Sequence, residues 1–379
     1  MSSTIKKVHI VAFDLPFPPN YGGSTDMYYK YKALKELDVE VVLHVFLYGG
    51  KKPADELKKV VSELHYYPRL KKNPFWGKRP YIVRSRESKK LLERLSADRH
   101  PILFEGLHTT AYINHPLLAN KVKIVRAHNV EHDYYEALAL AEEKWWKTLF
   151  FKGEAKRLKE YEKQVGQFAE GIAAISPMEH RYFEGEYGKS TYVPAFHSND
   201  KVSSKMGNGD YILYHGNLSV PENHRAAHFL VKEVFSRLNV PCVIAGSQPP
   251  KSLINSVDSF SNIRLIADVP SDEILDLISN AHANVLVTFQ STGIKLKLLN
   301  SLYRGRFVVA NRPMVEETGL EDLCFVGKTP AELVEHIKAT FEKSFDENQK
   351  QQRIALLNQT FDNQVNAKKL VNMLFSDRV

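Results

Sequence analysis

Lys295 and Lys297 stand where a polar loop meets a helix-like run, in the stretch VLVTFQSTGIKLKLLNSLYRGRFVVAN, residues 285–311. Cations are disfavoured in the first turn of a helix, where the dipole already places partial positive charge. An anion held by the free amides of that turn would offset the cost. Residues 290–293, QSTG, are small and polar and can expose those amides. The chemistry so favoured is stabilisation of a negative leaving group such as a diphosphate. A solvated basic helix start in an ordinary βαβ unit fits the same spacing, and both readings stand here.

Further residues with chemical potential end other apolar runs. Gly22 and Gly23 follow KVHIVAF and a proline-rich loop, where glycine permits close backbone approach. Glu105 and His108 close one strand-like run, and His128, Glu131 and His132 close the next. Gly216 and Asn223 lie in HGNLSVPEN ahead of a helix. Ligands of open α/β sheets sit beyond the carboxyl ends of strands, where all these residues fall. Gly22-Gly23 lacks the G-x-G-x-x-G spacing, so a nicotinamide fingerprint is not supported.

The elements that must position these residues alternate. Strands are predicted over 7–13, 39–47, 101–104, 122–127, 171–175, 211–214, 241–245, 263–266, 285–289, 307–310 and 324–326. Helices are predicted between them, including 51–66 and one long helix over 133–168. In the helix near Lys297, Leu296, Leu299 and Leu302 are predicted to face inward, and Gly305 to end it at C′. The polar stretch 197–210 fits a linker. The reading is therefore α/β, with two Rossmann-like domains of parallel sheet, 1–203 and 204–379. The last helix, about 360–379, is expected to pack back on the first.

Two cysteines in 379 residues suggest no disulfide framework, and a reducing cytoplasm is the expected home. No apolar run approaches the ~20 residues of a membrane span. Residues 1–200 carry 32 Lys/Arg against 25 Asp/Glu, while residues 201–379 carry 20 against 19. The basic half favours an acidic partner. No zinc spacing or nucleic-acid motif is present, so an anionic membrane or phosphorylated lipid ranks above nucleic acid. Two basic, aromatic segments are candidate contacts, 67–86 and 144–159. The alternative weighed ahead of the second is that Trp145, Trp146 and Phe150 form the first domain's core.

The order of these motifs resembles the GT-B glycosyltransferases, and within them the glycosyltransferase family 4-like (group 1) bacterial sugar transferases. HGNLSVPEN is similar to the family's glycine–asparagine loop, STGIKLKLLNSLYRGRFVVA to its G-x-x-x-K-x-L segment, and RAHNVEHDYYEALA to its strand-end histidine region. The resemblance implies an active site in the interdomain cleft and transfer of a sugar from a nucleotide-diphosphate donor. The acceptor would be a glycan or lipid-linked molecule, in surface polysaccharide or glycoconjugate synthesis. It implies retention of configuration, no metal and no cofactor besides the donor. Catalytic roles pass to His128 and Lys297. Donor diphosphate and sugar contacts pass to Gly22, Gly23, Gly216, Asn223, Gly293 and Lys295, and the nucleoside to Val269 and Asn300. The acidic pair expected at the ribose is Thr292 and Asn300 here, and an expected Arg and Lys after Gly216 are Asn217 and Glu222/Asn223. A GT-B-fold nucleotide-sugar epimerase and a non-catalytic GT-B scaffold are the alternatives.

Overall fold

A computed structural model describes residues 5–142, 144–289 and 295–376. The chain divides into two units, residues 1–198 with 361–379, and residues 199–360. Each is built on one parallel sheet. The first unit contains β1 (Lys6–Ala12), β2 (Val39–Leu47), β3 (Glu63–Pro68), β4 (Ile102–Glu105), β5 (Lys123–Ala127), β6 (Gly171–Ala174) and β7 (Ser190–Tyr192). The second contains β8 (Ile212–His215), β9 (Cys242–Gly246), β10 (Ile263–Ala267), β11 (Ala283–Leu286), β12 (Phe307–Asn311) and β13 (Phe325–Gly327).

The sheet orders are 3-2-1-4-5-6-7 and 10-9-8-11-12-13, with every pairing parallel. Both are doubly wound, as expected. Helices cover both faces, so the strands read as near-continuous apolar runs. Val8, Ile10 and Ala12 of β1 join one core, and Val11 joins the opposite one. Strand order reverses between β1 and β4, and between β8 and β11. A doubly wound sheet opens its ligand crevice at such a switch point.

The division falls between residues 198 and 199, where the sequence reading put it at 203. Side-chain bonds explain the position. The backbone of His197 donates to Asn363 Oδ1, and its ring lies 2.8 Å from the Phe361 carbonyl, which ties it to the first unit. Asn199 bonds to Asn300, and Ser204 accepts from the buried Arg353, which ties both to the second. The helix Asn363–Phe375 belongs to the first unit, where Ala367, Leu370, Val371 and Leu374 pack with Met27, Tyr31 and Leu34.

Three expectations about elements are corrected. Residues 51–66 form no long helix: a single 3₁₀ turn, Asp55–Lys59, anchored by buried Leu57, leads into β3. The Leu-His-Tyr-Tyr run pairs in register with β2, and that pairing outweighs the charged, helix-like spacing before it. Residues 133–168 form two helices, Glu131–Ala141 and Trp145–Phe168. Glu142 adopts extended backbone and turns the chain, its carboxylate accepting from the Lys144 amide and its carbonyl from Thr148 Oγ1. The aromatic stripe of the second helix is split. Leu158 is buried, whereas Trp145, Trp146 and Leu149 are exposed.

Candidate active site

In the second unit the helix Leu296–Arg304 begins one residue after Lys295, which occupies the N-cap position. Leu298, Leu299 and Leu302 are its buried leucines, and Leu296 is only half-buried. Gly305 caps it in extended backbone and not in a left-handed C′ conformation. Its lack of a side chain has a packing cause, since a Cβ would lie 2.3 Å from Asn284 Nδ2. Lys297 points its ammonium to Asn223 Oδ1, at 2.5 Å. Asn223 Nδ2 donates to the Asn217 carbonyl, and its own carbonyl accepts from Tyr214 Oη. The ammonium also lies 5.2 Å from the Tyr214 ring centroid.

Gly216 completes this cradle. A Cβ there would stand 2.6 Å from Lys297 Nζ, inside contact distance. A Cβ on Gly246, in the neighbouring strand β9, would strike the Gly216 carbonyl. The glycines therefore let backbone and ammonium share one small space at the carboxyl end of β8. Burial lowers the Lys297 pKa to about 8, against the opposing charge of Glu222. His215, also buried, is pushed down to about 3 by burial and then by Lys297, and its Nε2 has no hydrogen-bond partner among the described residues.

Glu222 takes part in this arrangement in a role the sequence reading missed. It accepts from Thr288 Oγ1 at 2.7 Å and from the Phe289 amide at 2.6 Å, which fixes the segment after β11 onto the helix Pro221–Phe229. The only sequence signal was its place beside Asn223 in the glycine loop. Asn300 Oδ1 accepts from Asn199 Nδ2, and Asn199 Oδ1 accepts from Arg304 Nε. One lone-pair direction of the expected ribose contact is thus engaged by the unit's own chain. Val269 is half-buried in the turn after β10, next to Asp268, whose positive φ of 55° and contact with the Gln248 amide set that turn. Gly293 and Thr292 lie outside the described residues.

In the first unit the site gathers at the ends of β1, β4 and β5. Gly22 opens the helix Gly22–Lys35. A Cβ on Gly23 would touch the Phe13 ring at 3.0 Å, and that ring meets His128 edge-on, with centroids 5.3 Å apart. His128, directly after β5, places Nε2 3.2 Å from Glu105 Oε2. Its Nδ1 is buried with no partner among the described residues. Beneath the pair lies a charge cluster that sequence reasoning missed. Lys30 Nζ contacts Asp26 and Glu105, both at 2.8 Å. Arg126 donates to Asp26 at 2.7 Å and to the Val193 and Pro194 carbonyls.

All four of these side chains are fully buried. Burial opposes ionisation of Asp26, but Arg126 and then Lys30 outweigh it and hold its carboxyl well below the usual range. Glu105 is likewise held low, chiefly by Lys30. Asp26 and Lys30 were visible as an i, i+4 pair, which on a helix usually means a solvated salt bridge. Asp26, Glu105 and His128 are near enough to share a metal ion among the described residues. The two carboxylates, however, already face two buried cations, so the donor set is electrically satisfied without one.

Because Glu105 is an acceptor-only carboxylate, His128 Nε2 must be the donor. A neutral His128 then presents a lone pair at Nδ1. Two further groups, His108 and Glu131, lie 3.8 Å from each other nearby. The His108 ring lies tilted against Phe13, with centroids 5.1 Å apart, and is held well below its usual pKa, chiefly by burial. Glu131 is pushed up to about 8 by burial and by Glu162. The first unit thus offers a positioned proton acceptor, and the second a cationic cradle.

Comparison with known proteins gives this geometry a context. Residues 209–343 match the family of group 1 glycosyl transferases. A relative in Klebsiella pneumoniae, an uncharacterised 44.6 kDa protein in the cps region, is 25% identical over 339 residues, covering 83% of this chain and 84% of its own. Among solved structures, HepE from Anabaena, determined with UDP and glucose, aligns with a TM-score of 0.65 at 11% identity, over 97% of this chain and 99% of its own. WaaG, a glycosyltransferase involved in lipopolysaccharide biosynthesis, aligns with a TM-score of 0.64 at 11% identity, over 98% and 100%. The family match lies in the second unit and the fold likeness spans both, so the chain has the GT-B fold and its second unit is similar to the group 1 glycosyl transferases.

Proposed function

We propose that the protein moves a sugar from a nucleotide-diphosphate donor to a glycan or lipid-linked acceptor, in surface polysaccharide or glycoconjugate synthesis. The observation that carries this reading is the Gly216–Asn223–Lys297 cradle at the switch point of the second sheet. As the bond from the anomeric carbon to the phosphate oxygen breaks, negative charge collects on the departing diphosphate. The Lys297 ammonium, fixed by Asn223, stabilises that charge without reorganising. His128 Nδ1 takes the acceptor hydroxyl proton, with Glu105 holding the ring in the matching tautomer. Retention of configuration and independence from metal follow the family resemblance. The polysaccharide setting is supported by the cps-region relative, and an acceptor carried on lipid at the inner face of a membrane fits the basic first half of the chain.

Binding of UDP, GDP and CMP by calorimetry, followed by transfer from the matching donor sugars, tests the reading. Saturable binding of one nucleotide, weakened in Lys297→Ala, is expected. Chelator-treated enzyme should keep its activity, and the product's anomeric proton should report retention. Interconversion of the donor sugar without acceptor would identify an epimerase. No nucleotide binding at all would leave a scaffold.

A further inference from the structure

We propose that the first unit docks on an anionic lipid bilayer through one composite surface, built by residues 71–79 together with the start of the helix Trp145–Phe168. The proposal deepens the reading of a lipid-linked acceptor and rests on it for its purpose. Its geometry is independent of that reading.

The surface is apolar and open. Leu140 is 85% exposed, Trp76 76%, Trp145 74%, Leu149 58%, Phe75 55% and Trp146 49%. Single exposed apolar residues are ordinary, but a contiguous group of large ones marks an interaction face. The two segments meet although they are far apart in sequence. The Phe75 ring meets Phe150 edge-on, with centroids 6.0 Å apart, and Phe150 in turn meets Tyr81. The Pro74 carbonyl accepts from Arg157. The loop is held in shape from behind, because Arg84 donates to the carbonyls of Asn73 and Arg79. Further along the same helix, Leu158, Tyr161 and Val165 enter the core. One end of the helix is thus anchored while its first turns present aromatic rings outward.

Charge selects the occupant. Lys71, Lys78, Arg79, Lys144, Lys152 and Lys156 are exposed in these two segments. Their acidic neighbours are engaged locally, Glu87 by Lys72 and Arg79, and Glu142 by Lys147. Protein–protein interfaces are depleted in lysine. A bilayer surface instead suits tryptophan at the headgroup level and lysine above it. The rings would enter the interface while the lysines meet lipid phosphate. No helix among the described residues is long and apolar enough to span, so attachment would be peripheral.

The test is co-sedimentation of the full chain with phosphatidylcholine vesicles and with vesicles that also contain phosphatidylglycerol, at rising salt. Binding to the anionic vesicles alone, weakening with salt, is expected. Trp76→Ser, Trp145→Ser and Trp146→Ser combined should weaken it about tenfold or more. Lys78→Glu, Lys144→Glu, Lys152→Glu and Lys156→Glu combined should weaken it at least about hundredfold. Both variants should keep wild-type thermal unfolding and nucleotide binding. Indifference of the wild type to anionic vesicles at low salt overturns the proposal, as does unchanged binding by the tryptophan variant. A dimer that dissociates only in that variant overturns it too, assigning the face to a second copy. Vesicle binding needs no donor, so a protein that sediments with lipid yet ignores nucleotides sinks the transferase reading and leaves this one standing.

Discussion

A side chain at residue 216 and the ammonium of Lys297 compete for one position, because a Cβ on Gly216 would stand 2.6 Å from Lys297 Nζ. Glycine is required here for access and not for backbone freedom. The two positions should therefore fail alike. Lys297→Ala should lower turnover roughly 100- to 1000-fold, the range for losing one fixed transition-state donor. Gly216→Ala displaces the ammonium and should approach the same loss. The double variant should be no worse than Lys297→Ala. Steady-state kinetics with thermal unfolding as a control decide the matter, and a fully active Gly216→Ala would break the link.

Binding of the nucleotide diphosphate should depend on pH through the same lysine. Burial sets the Lys297 pKa at about 8 in the free protein, so its charge is present below that pH and lost above it. Affinity should hold from pH 6.5 to 7.5 and fall as pH rises through 8, with the bound anion moving the midpoint upward. Calorimetry over that range measures it. Lys297→Met should bind weakly with no such dependence, and a wild-type affinity flat to pH 9.5 would refute the assignment.

The fold was legible because its signal is periodic. Apolar runs such as VHIVA and VVLHVFL were long enough to be read as buried parallel strands. β3 was missed because His65, Tyr66 and Tyr67 follow a charged stretch with helical spacing, and only pairing with β2 decides between the states. Gly216, Asn223 and Lys297 could be named from spacing, since a glycine loop and a helix start carry local signatures. Asp26, Lys30 and Arg126 could not, and Glu105 could be named only as the end of a strand. Their meaning comes from complete burial, which brings residues 100 positions apart within hydrogen-bond range, as in Asp26 and Arg126. Local sequence carries no trace of that.

The Glu105–His128 pair predicts a tautomer. Glu105 accepts from Nε2, so Nδ1 should be the unprotonated nitrogen when the ring is neutral. The ¹⁵N shifts of selectively labelled protein report this directly, and a ring protonated at Nδ1 would contradict it. Glu105→Gln removes the charge while keeping an acceptor. Lys30 retains Asp26, so the variant should still fold. Turnover should fall about tenfold or more while donor KM changes little, and the pH–rate profile should shift.

Acid should weaken the first unit through a second histidine system. His9 lies 3.0 Å from Asp98 and 3.0 Å from His44, which is 2.9 Å from Tyr67 Oη, itself accepting from Arg94. With both rings neutral the chain is satisfied throughout, His9 Nε2 donating to Asp98, His44 Nε2 to His9 Nδ1, and Tyr67 Oη to His44 Nδ1. Burial lowers the His9 pKa, against the hydrogen bond to Asp98, and takes His44 well below its usual value, with His9, His65 and Arg94 adding to the effect. Such groups take up protons on unfolding. Their contribution is complete above the unfolded pKa near 6.5 and is lost as pH falls below it, by up to about 1.4 kcal/mol per pH unit for each histidine. Urea denaturation from pH 7.5 to 5 should show that slope, and His44→Leu with Tyr67→Phe should reduce it. An identical slope in that variant would show that other groups carry the acid sensitivity.

The returning helix should be a structural part of the first unit. Leu370 and Leu374 are 0% and 2% exposed, packed with Ala367 and Val371 among Met27, Tyr31 and Leu34. His197 holds the entry to that helix through the Phe361 carbonyl and Asn363. Leu370→Ala should cost about 2–5 kcal/mol by removing buried methyl groups and leaving a cavity. Hydrogen exchange should localise the loss to β1, β2 and the helix Gly22–Lys35, with little change in β8 to β12. Truncation before residue 361 should have the same signature in stronger form, exposing the apolar face of Gly22–Lys35 and promoting aggregation. Protection lost equally in both units would mean that the helix stabilises the chain as a whole, and protection lost in neither would mean that its apolar face is dispensable.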